Sequence, residues 1–287
     1  MNGLLVVDKP AGITSRDAVN RAQKWFPRRT KLGHTGTLDP LATGVLVLCV
    51  GAATKLAEFV QGMGKSYRTR VLLGARSDTD DVDGTVTPTD NAVAVDESAI
   101  RDLLPRFIGI IRQLPPAYSA LKVAGKRAHE LARDGKEVDL AARPVRVDAI
   151  RVLKFEWPHL DLEIDCGKGT YVRSIARDLG DALGCGGLVA ELRRTAVGPF
   201  RAEEGVTLDA TEADARAKLL PLAAAAAGLP KVTLTADVIR RLVQGQRATA
   251  EPGIPEGIPV AAFDAAGQFC LVVWRAGPDW RLRLVVG

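Results

Sequence analysis

An aspartate lies between a leucine and a proline in GHTGTLDPLATG, residues 33–44, a stretch that also holds three glycines, three threonines and one histidine. An unperturbed aspartate has a pKa of about 3.9. Asp39 is therefore an anion at neutral pH and can attack an electrophilic carbon without a general base to activate it. Pro40 and the neighbouring glycines stiffen such a loop and let a ligand come close to its backbone. A plainer reading competes, because aspartate before proline in a glycine-rich loop also serves as a turn or cap residue. Composition leaves both open.

Other constellations narrow the chemistry by failing. GMGKS, residues 62–66, ends like a phosphate-binding loop, but the first glycine of that pattern would fall at Phe59. TDDVDG starts like a calcium loop, yet its first ligand position is Thr79 and its twelfth is Asp90 rather than glutamate, so a hairpin turn is expected. His34, His129 and His159 lie far apart, and Cys49, Cys166, Cys185 and Cys270 form no C-x-x-C pair. Neither a metal nor a cofactor is expected, and the cysteines read as buried free thiols.

These residues need elements to hold them. Leu4–Val7 reads as a buried strand, Ser15 as the cap of a helix running to about Phe26, and Val45–Val50 as a second strand. Thr54 is placed to cap a short helix, and Tyr67–Leu73 alternates as a third strand. Apolar residues from Asp96 to Phe107 recur at helical spacing. The clearest strand is Leu160–Cys166, where Leu160, Leu162, Ile164 and Cys166 alternate with Asp161, Glu163 and Asp165. A helix carrying Ile175, Leu179 and Leu183 follows, ending at Gly184. Residues 112–138, rich in proline and basic side chains and poor in core formers, read as a protruding insertion. The alanine tract at 221–230 marks a boundary, beyond which come a helix from Thr235 to Gly245 and strands at Phe269–Trp274 and Arg281–Val286.

With 287 residues, 47% hydrophobic and 25% charged, the chain has the composition of a globular protein of about two domains. Its net charge of +5 mildly favours a polyanionic partner. No stretch approaches 18 uninterrupted apolar residues, so no membrane span is expected and the expected location is cytoplasmic.

Longer blocks then decide between the readings of Asp39. GHTGTLDPLATGVLVLCVGAATK resembles the signature of the bacterial tRNA pseudouridine-55 synthase family, TruB. GLLVVDKPAGITS, KSYRTRVLLGARSDTDDVDG, PPAYSALKVAGKRAHELARDG and CGKGTYVRSIARDLGDALGCGG are similar to further blocks of that family, spanning nearly all of residues 3–200. The resemblance implies an α+β pseudouridine synthase fold, a mixed and largely antiparallel sheet flanked by helices. It places the catalytic domain at 1–222, including the insertion at about 112–138, and a small PUA-like β-barrel domain for RNA contact at 229–287.

The same resemblance implies that Asp39 is the nucleophile, that Tyr67 lies against the target uracil, and that Tyr171 and Arg173 stand near the carboxylate, Arg173 as its ion-pair partner. Spacing adds to this if GTYVRS is extended, since residues two apart then share a face. The bland alternative for Arg173 is a surface arginine at a helix start. His34 corresponds to a histidine that helps hold the RNA loop with its nucleotide displaced. Lys9 and Lys55 match basic positions that could contact phosphate, and Lys122, Lys126, Arg127, Arg133 and Lys136 of the insertion would close over the stem-loop. The implied activity is conversion of uridine to pseudouridine at position 55 in the T-loop of tRNA, by a monomer, with no cofactor and a nucleotide turned out of its stack. Two alternatives stay open: a guide-RNA-dependent relative, whose motif differs after the proline, and an RNA-binding or RNA-folding protein on the same scaffold.

Overall fold

The computed structural model describes residues 1–119, 122–123, 126–127, 140–251 and 253–286. In chain order, β1 (Gly3–Lys9) and α1 (Ser15–Ala22) precede β2 (Leu32–His34) and β3 (Thr43–Val50). Next come α2 (Ala57–Gln61), β4 (Lys65–Leu73), the pair β5 (Ala75–Ser77) and β6 (Val86–Pro88), α3 (Glu97–Leu103), β7 (Gly109–Gln113), β8 (Lys122–Val123) and β9 (Lys126–Arg127). Then follow β10 (Arg143–Glu156), β11 (His159–Cys166), α4 (Val172–Ala182), β12 (Gly187–Val197), β13 (Phe200–Arg201) and α5 (Glu212–Ala217). The last part holds β14 (Lys231–Thr233), α6 (Ala236–Val243), β15 (Ala248–Thr249), β16 (Pro259–Phe263), β17 (Phe269–Ala276) and β18 (Asp279–Val285).

Nine strands form the main sheet in the order β1-β3-β12-β4-β11-β10-β7, with β2 on β3 and β13 on β12. Its pairs are antiparallel except for a two-residue parallel contact of β3 with β12. On β11 the alternation read from sequence holds: Leu160, Leu162, Ile164 and Cys166 are buried, while Asp161 pairs with Arg70 and Glu163 with Arg68 and Arg151. These half-exposed ion pairs contribute little stability, about 0–1 kcal/mol each. β1 differs because both of its faces are covered. Leu5 and Val7 join the core beneath α1 and α4, whereas Leu4 and Val6 join a second core. That second core also takes Ala225 and Ala226 of the alanine tract together with Phe269, Val272 and Val286. A curled five-stranded sheet, β14-β16-β17-β18-β15, makes up the C-terminal part.

Three local expectations change. α1 is capped by Thr14, whose side chain accepts from the Asp17 N–H at 3.1 Å while Asp17 accepts from the Thr14 N–H at 3.0 Å; Ser15 is turned inward instead. Thr54 caps no helix but donates to the Gly51 carbonyl inside a 3-10 turn, Gly51–Leu56, that precedes α2. Cys270 is only half-buried, unlike the other three cysteines. Thr235 does cap α6, accepting from the Val238 N–H, and Gly245 follows with φ +77°. The basic insertion lies largely outside the described residues, Arg133 and Lys136 included; of it, Lys122, Lys126 and Arg127 fall on the short pair β8–β9.

Candidate active site

The backbone of Asp39 is held by its neighbours. The Ser15 hydroxyl accepts from the Leu38 N–H at 2.8 Å and donates to the Leu38 carbonyl at 3.0 Å. On the other side the Pro40 carbonyl accepts from the Gly12 N–H at 2.8 Å and from Lys9 Nζ at 3.3 Å. With the residues before and after it pinned, the backbone from which the Asp39 side chain leaves is fixed. Lys9 is fully buried and also donates to the Pro10 and Ile13 carbonyls at 2.8 Å each. The phosphate-contact expectation for Lys9 is thereby corrected: its ammonium braces the loop from beneath and is out of reach of a polyanion. Burial lowers its pKa to about 8, against the pull of Asp39 in the other direction.

Arg173 enters from α4, only 4% exposed. Its Nε lies 3.0 Å from Asp39 Oδ2, an ion pair without hydrogen-bond alignment. Its Nη1 lies 3.2 Å from Asp81 Oδ2 and donates to the Thr79 carbonyl at 2.7 Å, and its Nη2 donates to the Tyr118 carbonyl at 3.0 Å. Every edge of the guanidinium is thus engaged, which fixes its plane and, through it, Asp39. The extended-segment expectation for GTYVRS does not hold, because α4 begins at Val172 and Tyr171 is its N-cap residue. Arg173 does sit at a helix start, as the bland alternative had it, but buried between two carboxylates rather than at the surface. Tyr171 is fixed by Gln113, whose side chain both donates to its carbonyl at 3.0 Å and accepts from its N–H at 2.8 Å. Its ring lies 5.3 Å from the Arg143 guanidinium.

Asp39, Tyr67, Tyr171 and Arg173 all line one cavity of about 280 Å³. Tyr67 stands on β4 directly opposite Arg194 of β12, and burial raises its pKa, keeping the phenol neutral. Arg194 is itself buried, donating to the Val45 carbonyl at 2.7 Å and the Gly36 carbonyl at 3.1 Å, so the loop is held from the sheet side as well. Lys65 and Lys168 also line the wall. Burial, with Arg194 nearby, lowers the Lys65 pKa to about 8, and its ammonium donates to the Gln61 and Met63 carbonyls. One carboxylate therefore faces a cavity walled by Arg173, Arg194, Lys65 and Lys168, a setting suited to an anionic substrate that carries an electrophilic carbon.

His34 ends β2, half-buried, one residue before the cavity-lining segment begins at Thr35. Lys55 is exposed on its 3-10 turn and does not line the cavity. Sequence reasoning missed Ser15, Asp81, Lys65 and Arg194. A signal for Arg194 was available, since RRTAV follows an apolar run and places an arginine where a strand turns one side chain in. Among the described residues no three His, Cys, Asp or Glu side chains converge as metal ligands. No helix among them is long and apolar enough to cross a membrane.

Comparison with known proteins settles the lineage of this arrangement. Residues 24–172 match the TruB family pseudouridylate synthase N-terminal domain, and residues 173–222 match the tRNA pseudouridylate synthase B C-terminal domain. The chain belongs to the TruB family. Among similar relatives, a tRNA pseudouridine synthase B of Xanthomonas campestris pv. campestris (strain 8004) is 45% identical over 93% of this chain and 88% of its own length. Another so named, from Ruegeria pomeroyi, is 47% identical over 89% of this chain and 86% of its own. Among solved structures, a chain in a crystal structure of a Cbf5-Nop10-Gar1 complex superposes with a TM-score of 0.77 at 26% identity, covering 99% of this chain and 85% of that one. A chain of the archaeal box H/ACA sRNP Nop10-Cbf5 complex does so at 0.75 and 24%, covering 99% and 86%, which shows that the TruB chain shares its pseudouridine synthase fold. Identities of 43–48% to chains named tRNA pseudouridine synthase B exceed the 24–26% to the chains of these two complexes.

Proposed function

We propose that this TruB chain isomerises uridine to pseudouridine in tRNA, at position 55 of the T-loop, with Asp39 as the nucleophile. The observation that carries the reading is the Asp39–Arg173 pair at the wall of a cationic cavity, in a chain 45% identical to a tRNA pseudouridine synthase B. The reaction breaks the N1–C1′ bond, turns the base and forms a C5–C1′ bond, so no atom is gained or lost. Attack of the Asp39 carboxylate on the ribose, at C1′ in the description favoured for the family, divides one difficult exchange into two easier steps. Arg173 keeps the carboxylate aimed.

The target uridine must leave its stack to enter, at a cost of a few kcal/mol, and contact with the Tyr67 ring offsets part of it. Tyr171, held by Gln113 and covered by Arg143, forms part of the wall that receives the nucleotide. His34 and Lys55 contact the RNA outside the cavity, and the insertion carrying Lys122, Lys126 and Arg127 adds phosphate contacts over the stem-loop. The chain acts as a monomer in this reading. We place the boundary of the catalytic domain near residue 222 and a PUA-like RNA-contact domain at 229–287.

Nucleotide-resolution mapping of pseudouridine on unmodified tRNA treated with the purified protein tests this directly. The expected product is a single new pseudouridine at position 55, formed also on a bare T-arm hairpin without guide RNA. Product at another site, or none without a guide, contradicts the reading.

A further inference from the structure

A folded tRNA is far larger than a cavity of about 280 Å³, so surfaces beyond the cavity must meet its backbone. One surface has the chemistry to do so. Pro27–Thr30 forms a tight turn, closed by the Thr30 N–H donating to the Pro27 carbonyl at 2.8 Å and pinned by Gln23 Nε2 at 3.2 Å. Arg28 and Arg29 occupy its two central positions and Lys31 follows, all three exposed. The Lys31 backbone is fixed, its carbonyl accepting from the Gly51 N–H at 2.8 Å.

None of these three side chains has an acidic partner among the described residues. Arg76, Arg101, Arg68 and Arg151, also exposed, are by contrast paired, with Asp181, Glu97 and Glu163, so what sets the turn apart is three unpaired cations within four residues. The aromatic neighbours Trp25 and Phe26 are buried, so the turn offers charge without an apolar anchor. That combination fits a phosphate backbone better than a protein partner or a membrane surface.

Its position fits as well. β2 leads from Lys31 to His34, and the cavity wall starts at Thr35, so the cations begin about 10–13 Å from the rim at roughly 3.3 Å per strand residue. β7 forms the opposite edge of the sheet. β3, which β2 borders, and β7 are five strand spacings apart, about 24 Å at ~4.8 Å each. The cavity residues of β12 and β4 lie between them.

We infer that Arg28, Arg29 and Lys31 form a second phosphate-contact surface for the tRNA, on the flank of the cavity opposite β7. This rests on the tRNA reading above. The test is the triple variant Arg28→Ala, Arg29→Ala, Lys31→Ala in the full chain. A control variant, Arg101→Ala, Arg106→Ala, Lys154→Ala, removes the same charge elsewhere. Dissociation constants for unmodified tRNA are titrated against salt, beside turnover at saturating tRNA.

The triple variant should bind tRNA at least ~10-fold more weakly at 0.1 M salt, with a log–log salt slope shallower by about 2, and turn over normally once saturated. The control should stay within about twofold of the parent. Unchanged affinity and slope, or an equal loss in the control, overturns the surface. If the triple variant fails to fold, Arg29→Glu alone should weaken binding and lower KM-limited but not saturated turnover; a fall in saturated turnover alone contradicts the assignment. Should the parent protein form no pseudouridine at all, the functional reading fails on that result, while the binding titration still decides the surface.

Discussion

Arg173 holds two carboxylates at once, and only one of them lines the cavity. Asp81, buried behind it, is pushed to a raised pKa mainly by loss of hydration, partly offset by Thr79 and Arg173. Because its folded pKa lies above its unfolded value, Asp81 costs stability as pH rises through that pKa, yet its charged form is what anchors Arg173. Asp81→Asn should therefore leave the thermal midpoint near or above the parent value while lowering kcat on the order of 10²-fold, with KM little changed. Its pH–rate profile should also lose an acid limb that the parent shows above the ordinary carboxylate range. Superimposable profiles with equal kcat would show that Arg173 needs only Asp39. Asp39 itself was legible in the sequence because its whole block carries the family signature. Asp81 was not, since SDTDDVDG has the local composition of a turn, and the arginine it serves lies far away in the chain. Lys9 was misread for a related reason: exposure is a property of the fold, and nothing beside a lysine in a loop announces three carbonyls beneath it.

At the scale of elements, β12 and the start of β3 position the Asp39 loop through close backbone approach. Gly44 has φ +99°, and a Cβ added there would lie 2.2 Å from the Arg194 carbonyl oxygen. Both the left-handed backbone and the backbone–backbone clash oppose any side chain, so Gly44→Ala should destabilise the protein by about 2–3 kcal/mol or more. Differential scanning calorimetry should show a midpoint several degrees lower, and kcat should fall because the residue displaced, Arg194 of β12, also braces Gly36. The alternation of β11 and the run of β1 were readable because period and length report burial directly. The parallel contact of β3 with β12 was not, for it joins residues about 150 positions apart and leaves no local periodic trace. The start of α4 at Val172 was missed because Tyr171 and Arg173 two apart suit an extended segment, while no Ser, Thr, Asn or Asp stands at the N-cap to announce the helix.

At the scale of the whole molecule, the main sheet and the C-terminal sheet share a core. Val45 and Val47 of β3, Ala225 and Ala226, and Phe269, Val272 and Val286 belong to one buried apolar cluster, and Arg283 adds an ion pair to Glu58 on α2 at 2.8 Å. Deleting residues 229–287 should expose that cluster. Loss of even two such contacts, at about 1.5–3 kcal/mol per buried side chain, lowers the midpoint by roughly 6 °C or more, and tRNA affinity should fall with it. An unchanged midpoint and affinity would remove both a stabilising and an RNA-contact role from the C-terminal sheet. The alanine tract marked this region by composition, but composition could not tell a linker from the buried wedge that it forms. In the proposed reaction the two cores, the braced loop and the paired arginine jointly aim one carboxylate at an RNA sugar. Release of tritium from C5-labelled tRNA by Asp39→Asn, measured beside tRNA binding, tests that most directly: release should vanish while binding stays within about threefold of the parent. Tritium release at an appreciable fraction of the parent rate would show that the chemistry does not pass through Asp39.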